Sequence, residues 1–228
     1  MNILKELYSI NIIKTIYFNL YYLPLKQAIK LPILLYGKIK LKKIDGNITI
    51  DTKPKTGFIK LGKSIVSLYK TRDYSLVWEN RGQIAFKGNF ILGEGSSIST
   101  GINGYLEFGK NFAATSKLKI ACYNNIIIQE DCRFSWENIV VDTDFHETIN
   151  ITSGERSLPI GQVLIGKNNW IGMRALILKG TETPDFCTVG PGSILNKKYL
   201  IPEYSLIAGI PARLKKENIF MDFNSFVK

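Results

Sequence analysis

The chain has 228 residues, 45% of them hydrophobic, and a formal charge of +11 from 30 lysines and arginines against 19 aspartates and glutamates. This composition excludes a disordered chain. It contains a single histidine, which excludes any site that needs two imidazoles from one subunit. The three cysteines, Cys122, Cys132 and Cys187, lack CxxC spacing, which argues against a zinc site or a disulfide framework and favours a reducing cytoplasm.

Residues 1–45 are a basic amphipathic N-terminal segment. Its eight lysines face only Glu6 and Asp45; they are Lys5, Lys14, Lys26, Lys30, Lys38, Lys40, Lys42 and Lys43. This charge is typical of a solvated surface, or of attraction to an anionic membrane or an acidic polymer. We expect no nucleic-acid partner, because no nucleic-acid-binding motif accompanies the lysines.

Apolar residues within 3–23 recur at spacings of three and four, which predicts an amphipathic helix. They are Ile3, Leu4, Leu7, Tyr8, Ile12, Ile13, Ile16, Tyr17, Leu20 and Tyr21. Such a helix packs on its own protein or lies in a membrane interface, and packing is the commoner outcome. No apolar run reaches the length of a bilayer span, and the N-terminus lacks the layout of a signal peptide. We therefore expect a cytoplasmic protein, with the inner face of the cell membrane as a further location.

A strict six-residue period runs through the C-terminal half. Aliphatic or compact residues stand at Ile165, Ile171, Ile177, Thr183, Val189, Leu195 and Ile201. Small or compact residues follow four positions later at Asn169, Ala175, Thr181, Cys187 and Ser193. Neither a helix nor a simple strand repeats every six residues, whereas a triangular coil with one short strand per side does.

The period extends upstream with interruptions. It passes through Phe108, Ala114, Ile120 and Ile126, and then through Ile128, Phe134, Val140 and His146. Two registers fit the first coils: Phe86, Leu92, Ile98, or Ile84, Phe90, Ser96, Ile102. The stretch between His146 and Ile165 is polar and carries Gly154, Pro159 and Gly161, which predicts a loop extruded from the coil near residues 147–163. Residues 45–83 contain GNITI and TGFIKLGKSIVSLYK, which favour strands that precede or cap the coil.

The chain resembles the hexapeptide-repeat, left-handed β-helix acyltransferases, with closest similarity to the maltose, galactoside and capsular-polysaccharide O-acetyltransferases. The residues that carry the resemblance are IGKNNWIGMRALILKG, GPGS at 190–193, IPEYSLIAGIPARLKK at 201–216, and DTDFH at 142–146. It implies an all-β fold, a left-handed parallel β-helix of hexapeptide repeats with an N-terminal helical segment and a short C-terminal tail. The corresponding divisions are residues 1–45, 46–216 and 217–228. The resemblance also implies a homotrimer, active sites between neighbouring subunits and acetyl-CoA as donor.

His146 is the candidate general base. A hydroxyl needs a base to take its proton as it attacks a thioester, and only histidine has an unperturbed pKa suited to that role. Taken alone it is equally a histidine without a role; the predicted loop and the resemblance favour catalysis. Asp142 and Asp144 lie four and two residues earlier, so strand alternation places them on the same face as His146, where one of them would orient the ring or bind sugar; Glu147 is a further candidate. The alternative is that both aspartates face solvent.

The resemblance implies roles for other positions. The backbone N–H near Met173 would stabilise the oxyanion. Residues in donor-binding positions are Trp170, Pro191, Gly192, Asn196, Lys197, Arg213 and Lys216, and those in acceptor-binding positions are Thr115, Ser116 and Trp136. Each tryptophan is equally explained as a packing residue, and each lysine as a surface group. Related enzymes carry an asparagine near the acceptor, and AATSK at 113–117 has none. No metal is expected.

Three hypotheses follow for function. The first is an O-acetyltransferase that moves an acetyl group from acetyl-CoA to a sugar hydroxyl in surface polysaccharide or oligosaccharide biosynthesis. The second is an N-acetyltransferase of an amino-sugar nucleotide, disfavoured because residues 1–80 lack a glycine fingerprint for a nucleotide-binding unit. The third is a non-enzymatic β-helical binding module. A γ-class carbonic anhydrase shares the fold, but it needs three histidines.

Overall fold

The computed structural model describes residues 9–66 and 75–222, which form two short helices followed by a coil of short parallel strands. The helices are α1 (Ile12–Tyr22) and α2 (Leu25–Ala28). The first four coils comprise β1 (Ile33–Leu35), β2 (Lys38–Lys43), β3 (Asn47–Ile50), β4 (Ile59–Lys63), β5 (Ser75–Asn80), β6 (Gln83–Phe86), β7 (Phe90–Gly93), β8 (Ser97–Thr100), β9 (Tyr105–Phe108), β10 (Phe112–Ala114), β11 (Lys119–Cys122) and β12 (Asn125–Ile128). The later coils comprise β13 (Arg133–Phe134), β14 (Ile139–Val141), β15 (Val163–Ile165), β16 (Trp170–Ile171), β17 (Leu176–Ile177), β18 (Thr188–Val189), β19 (Ile194–Leu195), β20 (Leu206–Gly209) and β21 (Ala212–Lys216).

From β4 to β17 each strand pairs with the strand three positions earlier in the chain, and β18, β19 and β20 pair with the strand two positions earlier, so the strands make the three faces of a prism. The first face has nine strands, in the order β1-β4-β7-β10-β13-β16-β18-β20-β21. The second face has seven strands, from β2 to β19, and the third has five, from β3 to β15. We call the corner between the first and second faces the first edge, and the corner between the second and third faces the second edge. The parallel β-helix predicted from the six-residue period is confirmed.

The six-residue period corresponds to the interior of the prism. Ile165, Ile171, Ile177, Val189 and Leu195 are all fully buried, and the small residues four positions after each coil step are buried too. In the first coils, Phe86, Leu92 and Ile98 are buried, whereas Ile102 of the competing register is 81% exposed. Ile84 and Phe90 of that register are also buried, because the strands of the early coils are longer and bury more than one residue each.

Aromatic rings fill the middle of the interior. Neighbouring rings lie 4.6–5.7 Å apart between centroids along the series Phe86, Phe90, Phe108, Phe112 and Phe134. Each contact joins residues from the same or adjacent coils. Aromatic rings thus fill the core of the coils below the predicted loop, and aliphatic residues fill the core of the coils above it.

Helix α1 closes the open edge of the first strand with polar side chains. The Asn19 amide donates to the carbonyl of Ile33 (2.7 Å), and its oxygen accepts from the Ile33 N–H (3.1 Å). The Thr15 hydroxyl accepts from the Leu35 N–H (3.1 Å). Because a bare strand edge leaves backbone groups unpaired, these contacts end the β-helix without another strand.

The expectation that the apolar stripe of the helix packs on its own protein is therefore wrong: the stripe faces solvent. Thr15, Phe18 and Asn19 are its buried residues. The predicted apolar positions that lie in the described part of the helix point to solvent, at exposures of 43–82%: Ile12, Ile13, Ile16, Tyr17, Leu20 and Tyr21. The predicted positions Ile3, Leu4, Leu7 and Tyr8 lie outside the described residues. The strand edge decides the orientation, because buried backbone groups require polar partners.

At the other end the chain turns back on itself. Strands β20 and β21 form an antiparallel hairpin, with a cis peptide bond between Ile210 and Pro211 in the turn. The predicted tail beyond residue 216 is described as far as residue 222, where the ring of Phe220 lies 6.2 Å from those of Phe186 and Tyr204. Within residues 9–66 and 75–222, neither helix is long and apolar enough to cross a bilayer.

Replacing Asn19 with leucine should destabilise the fold strongly. The change keeps the side-chain volume but leaves the N–H and C=O of Ile33 unpaired, which costs about 2–4 kcal/mol of unfolding free energy. The matched control, Asn103→Leu, alters an exposed asparagine and should shift the value by less than about 0.5 kcal/mol. Urea denaturation measures both, and equal small effects would contradict the capping role of α1.

Candidate active site

His146 stands at the base of an excursion from the second edge. The chain leaves the fifth coil after β14 and returns at β15, and a β-bridge between Thr143 and Ile160 closes the neck of the loop. A second bridge joins Ile149 to Arg156 farther out. The predicted loop is therefore a hairpin with a paired stem. The imidazole of His146 is exposed on this stem.

Asp142 fastens the base of the loop to the coil beneath it. Its buried carboxylate accepts from the backbone N–H groups of Tyr123 and Asn124, each at 2.8 Å. Asp142 also receives the N–H of Gly161 on its own carbonyl (2.9 Å), which ties the two ends of the loop together. Carboxylates paired with two amides are strongly held. In this subunit the Asp142 carboxylate contacts those amides rather than the imidazole.

Lys179 fastens the loop from the coil above. Its ammonium lies 2.6 Å from the carboxylate of Asp144 and donates to the carbonyl of Leu158 (2.7 Å). The loop is therefore held on both sides of its neck. Asp144 forms its ion pair with Lys179 and not with His146. That either aspartate orients the ring stays a prediction.

The residues that flank His146 are fixed on opposite sides. Phe145 adopts a left-handed backbone conformation (φ 62°), and its ring meets the Tyr123 ring edge-on at 5.0 Å between centroids. Glu147 forms an ion pair with Arg156 across the hairpin (2.9 Å). These contacts restrain the backbone on both sides of His146. They do not involve the imidazole, which is exposed and can meet a substrate.

A second group of predicted site residues forms a column along the first edge. Register pairs Ala114 with Phe134, Phe134 with Ile171, and Ile171 with Val189. Two residues beyond each of these lie Ser116, Trp136, Met173 and Pro191, one above another in successive coils. Adjacent strands in a sheet lie about 4.8 Å apart, so the column extends over about 14 Å. The structure thus brings the predicted oxyanion position, two of the predicted acceptor positions and one predicted donor position, Pro191, to one edge.

The backbone at Met173 is held while its amide stays uncommitted. The N–H of Gly192 donates to the Met173 carbonyl (2.8 Å), and the N–H of Arg174 donates to the carbonyl of Trp136 (3.0 Å). The buried Asn138 side chain accepts from the N–H of Ala175 (2.8 Å). Among the described residues, the Met173 N–H has no hydrogen-bond acceptor. A fixed, unused amide is the kind of donor that an oxyanion requires.

One acceptor candidate has an unsatisfied polar atom. The hydroxyl of Thr115 is buried and has no partner within the described residues. Ser116 is also buried, and its hydroxyl donates to the carbonyl of Thr115 (2.6 Å). Trp136, one coil above Ser116, is half-buried. The Thr115 hydroxyl is thus the one of the three whose hydrogen-bonding capacity is unused.

The predicted donor-binding residues divide between the two edges. Pro191, Gly192 and Arg213 lie at the first edge, where a side chain added at Gly192 would meet open space. Asn196 and Lys197 lie at the second edge, two coils above the base of the His146 loop. Trp170 and Lys216 lie on the first face itself, in β16 and β21. Exposed basic groups and open backbone fit a ligand that carries phosphates and amides.

The two edges of one subunit are separated by the whole width of the second face. Six residues along the chain divide Trp136 from Asp142, or Met173 from Lys179, a span of about 15–20 Å at the rise of a strand. The outer surface of this face in the later coils is apolar and half-buried: it carries Ile139, Val141, Leu176 and Ile194. One subunit therefore holds both halves of the predicted site but does not bring them together.

The cysteines are not nucleophiles in this fold. Cys122, Cys132 and Cys187 are buried, and burial raises the pKa of the Cys132 and Cys187 thiols to about 12. Burial raises the pKa of Cys122 as well, and the neighbouring Asp142 charge adds to that effect. The thiols are thus protonated at neutral pH, which disfavours a covalent acyl-cysteine route.

Two other features lie apart from these edges. A cleft of about 220 Å³ opens between the third and first faces of the early coils, lined by Lys53, Lys55, Phe58, Lys87, Lys110 and Asn111. It contains none of the predicted site residues. Within the described residues, no group of three or more His, Cys, Asp or Glu side chains is placed to hold a metal ion.

Sequence reasoning missed the residues that hold the loop. Tyr123, Lys179 and Arg156 each contact the His146 stem from a position distant in sequence or across the hairpin. The six-residue period does contain a signal for the first two, because it places them one coil below and one coil above the insertion. It contains none for Arg156, whose partner depends on how the hairpin pairs.

Asp142→Asn should destabilise the protein, because an amide accepts through one oxygen only and would point its NH2 at a backbone donor. We expect a loss of about 2–3 kcal/mol in the free energy of unfolding, measured by urea denaturation. The control is Asp144→Asn, whose half-exposed ion pair with Lys179 contributes less than about 1 kcal/mol. Equal losses in the two variants would contradict the structural role of the Asp142 carboxylate.

The chain is similar to two curated proteins. It is 28% identical over 146 residues to WbbJ of Escherichia coli strain K12, whose name provisionally describes a lipopolysaccharide biosynthesis O-acetyl transferase; the match covers 60% of this chain and 74% of WbbJ. It is 21% identical over 170 residues to Rv3034c of Mycobacterium tuberculosis, a protein named, again provisionally, as an acetyltransferase. That match covers 74% of this chain and 47% of Rv3034c. No protein-family model matches the chain.

Two solved structures share the fold. The polysialic acid O-acetyltransferase OatWY superposes with a TM-score of 0.57 and 23% identity, over 82% of this chain and 92% of its own. The polySia-specific acetyltransferase NeuO superposes with a TM-score of 0.55 and 18% identity, over 81% and 89% of the two chains. The stacked triangular coils, the loop that carries His146 and the similarity to these proteins all support the fold that the sequence predicts. The chain has the parallel β-helix fold of these two acetyltransferases, and its sequence is similar to that of a lipopolysaccharide biosynthesis O-acetyl transferase.

Proposed function

We propose that this protein is an O-acetyltransferase that moves an acetyl group from acetyl-CoA to a sugar hydroxyl of a surface polysaccharide or its precursor. The observation that carries the proposal is the chain's only histidine, exposed on a loop stem that is restrained from both sides. Among the similar proteins, the name of WbbJ refers to lipopolysaccharide biosynthesis, and the names of OatWY and NeuO refer to polysialic acid. A charge of +11 suits an acidic polymer as acceptor.

In the proposed reaction His146 takes the proton of the sugar hydroxyl as its oxygen attacks the thioester carbonyl. The N–H of Met173 donates to the oxygen that gains negative charge in the tetrahedral intermediate. The carbon–sulfur bond then breaks, and His146 returns its proton to the departing thiolate. Each step needs positioning and one proton transfer, so a base and one fixed amide account for the chemistry.

We infer that the functional unit is a homotrimer. A cyclic assembly joins two different surface patches of neighbouring subunits. That geometry brings the His146 edge of one subunit to the Met173 edge of the next, and it covers the apolar outer surface of the second face. It also brings Asn196 and Lys197 to Pro191, Gly192 and Arg213, which together would hold the donor's phosphates and amides. The acceptor would enter beside Thr115 and Trp136.

We also place the protein in the cytoplasm, in peripheral contact with a membrane through its basic N-terminal segment. Polysaccharide precursors that are assembled on lipid carriers would be presented there. The lysines of the first coil support this location, since each basic residue near an anionic leaflet adds about 1 kcal/mol of attraction.

His146→Ala should lower acetyl transfer by at least about 100-fold, because the hydroxyl loses its base. Release of the CoA thiol is followed with an O-antigen polysaccharide, polysialic acid and a UDP-amino sugar as acceptors. Transfer to the hydroxyl acceptors supports the proposal. Transfer to the amino sugar alone would indicate an N-acetyltransferase instead, and full activity in the alanine variant would overturn the mechanism.

The Met173 amide can be removed without disturbing its turn. Pro191 occupies the equivalent position one coil above, followed by Gly192 at φ 65° where Arg174 has φ 58°. Met173→Pro should therefore fold, yet lose about 100-fold or more in turnover, whereas Met173→Leu should keep its activity. Retained activity in a folded proline variant would contradict the oxyanion role.

The same pair of variants tests whether the site is shared. In mixed trimers of His146→Ala and Met173→Pro chains, about one quarter of the sites join an intact His146 edge to an intact Met173 edge. Recovery of about a quarter of wild-type turnover supports the trimeric site. No recovery, in samples whose mass confirms mixing, would place both groups in one subunit or elsewhere.

A further inference from the structure

The outer surface of α1 is an apolar stripe that nothing in the described residues covers. Its side chains follow the helical order i, i+1, i+4, i+5, i+8 and i+9, which lies along one side of a helix. They are Ile12, Ile13, Ile16, Tyr17, Leu20 and Tyr21, and Leu25 and Ile29 of the next turns extend the surface at 67% and 69% exposure. A patch of eight large exposed apolar residues marks an interaction surface.

The stripe cannot be explained as the packing face of the helix. That role belongs to Thr15, Phe18 and Asn19, which point into the prism. The Phe18 ring lies 5.3 Å from that of Trp78, and the indole N–H of Trp78 donates to the hydroxyl of Tyr22 (3.1 Å). The helix is thus fixed by the face that carries Thr15, Phe18 and Asn19, and it exposes the stripe of apolar side chains on its other face.

The charge around the stripe is of one sign. Residues 9–50 carry seven lysines against one acid, Asp45. Six of these lysines are exposed and form no ion pair within the described residues: Lys26, Lys30, Lys38, Lys40, Lys42 and Lys43. Lys14 is turned inward, with its ammonium on the carbonyl of Ile39. A second copy docked on this surface would set lysines against lysines, whereas an anionic surface would neutralise them.

We propose that the α1 stripe, with its flanking lysines, is the surface through which the protein binds an anionic phospholipid bilayer. The apolar side chains enter the boundary between headgroups and acyl chains, and the lysines of α2 and β2 contact the phosphates. Interfacial helices combine these two contributions in the same way. The inference rests on the proposed function in one respect: membrane binding would serve to present a lipid-carried acceptor to the site.

The position of α1 in the fold gives this binding a geometric consequence. The helix covers the end of the prism at the first coil, and His146 leaves the fifth coil. Four coil steps of about 4.8 Å put the imidazole about 20 Å above the first coil when the prism stands on this end. An acceptor sugar a few residues from its lipid anchor would therefore reach the second edge.

The test is co-sedimentation of the full chain with vesicles. We expect binding to vesicles of phosphatidylcholine and phosphatidylglycerol in a ratio of about seven to three, at least tenfold tighter than to phosphatidylcholine alone, and weaker in high salt. Ile13→Ser should reduce vesicle binding about tenfold. Its matched control is Ile102→Ser, since Ile13 and Ile102 are 82% and 81% exposed and lie at different places in the fold; the control should bind as the wild type does.

Charge variants complete the experiment. The double variant Lys26→Gln, Lys30→Gln should weaken binding at least fivefold, and Lys110→Gln, Lys119→Gln should not. Absence of vesicle binding by the full chain, or equal effects of Ile13→Ser and Ile102→Ser, would overturn the proposal. A drop in oligomer mass with Ile13→Ser would assign the stripe to a second copy. Turnover of a soluble acceptor should be unchanged in Ile13→Ser, so a failure of the acetyltransferase proposal and a failure of membrane binding are separate results.

Discussion

The structure depends on parallel strands that stack in register from one coil to the next. Each residue on a face lies beside the equivalent residue one coil away, as Phe134 does with Ala114 below and Ile171 above, and the backbone hydrogen bonds join neighbouring coils, as from the Ser135 N–H to the Ile171 carbonyl. Because the pairing is in register, side chains at equivalent positions form columns. A functional residue placed at a corner of one coil therefore acquires fixed neighbours about 4.8 Å above and below it.

This constraint explains why the site is divided. Columns run along the edges, and a column cannot cross a face. The Met173 column and the His146 loop lie on different edges, with the apolar outer surface of the second face between them. A single prism buries its interior apolar side chains, yet it leaves the proposed catalytic groups apart and an apolar face half-exposed. The proposed association of subunits would address both at once, which is why we treat assembly as part of the proposed mechanism.

The same constraint creates the need for caps. A stack of parallel strands ends in bare strand edges, and such edges invite uncontrolled pairing. At one end α1 supplies Asn19 and Thr15 to the backbone of β1, and at the other end β21 folds back antiparallel on β20. Because α1 turns polar side chains toward the strand, it exposes apolar side chains to solvent. The proposed membrane surface is a consequence of this orientation.

The six-residue period by itself determined the triangular coil and the inward residues from Ile165 to Leu195. The polar composition after His146 added the place of the loop, and the family resemblance added the candidate position Met173. It could do so because each repeat makes the same local contacts, so one coil predicts the next. Only the tertiary structure decided what depends on unlike partners. It showed that Asp142 bonds to backbone amides, that Asp144 pairs with Lys179, and that α1 turns Asn19 inward and Ile13 outward. Helical spacing identifies an apolar stripe, but it does not say which side of the helix will be buried. That side is decided by the unpaired backbone of β1, which only the folded chain brings to the helix.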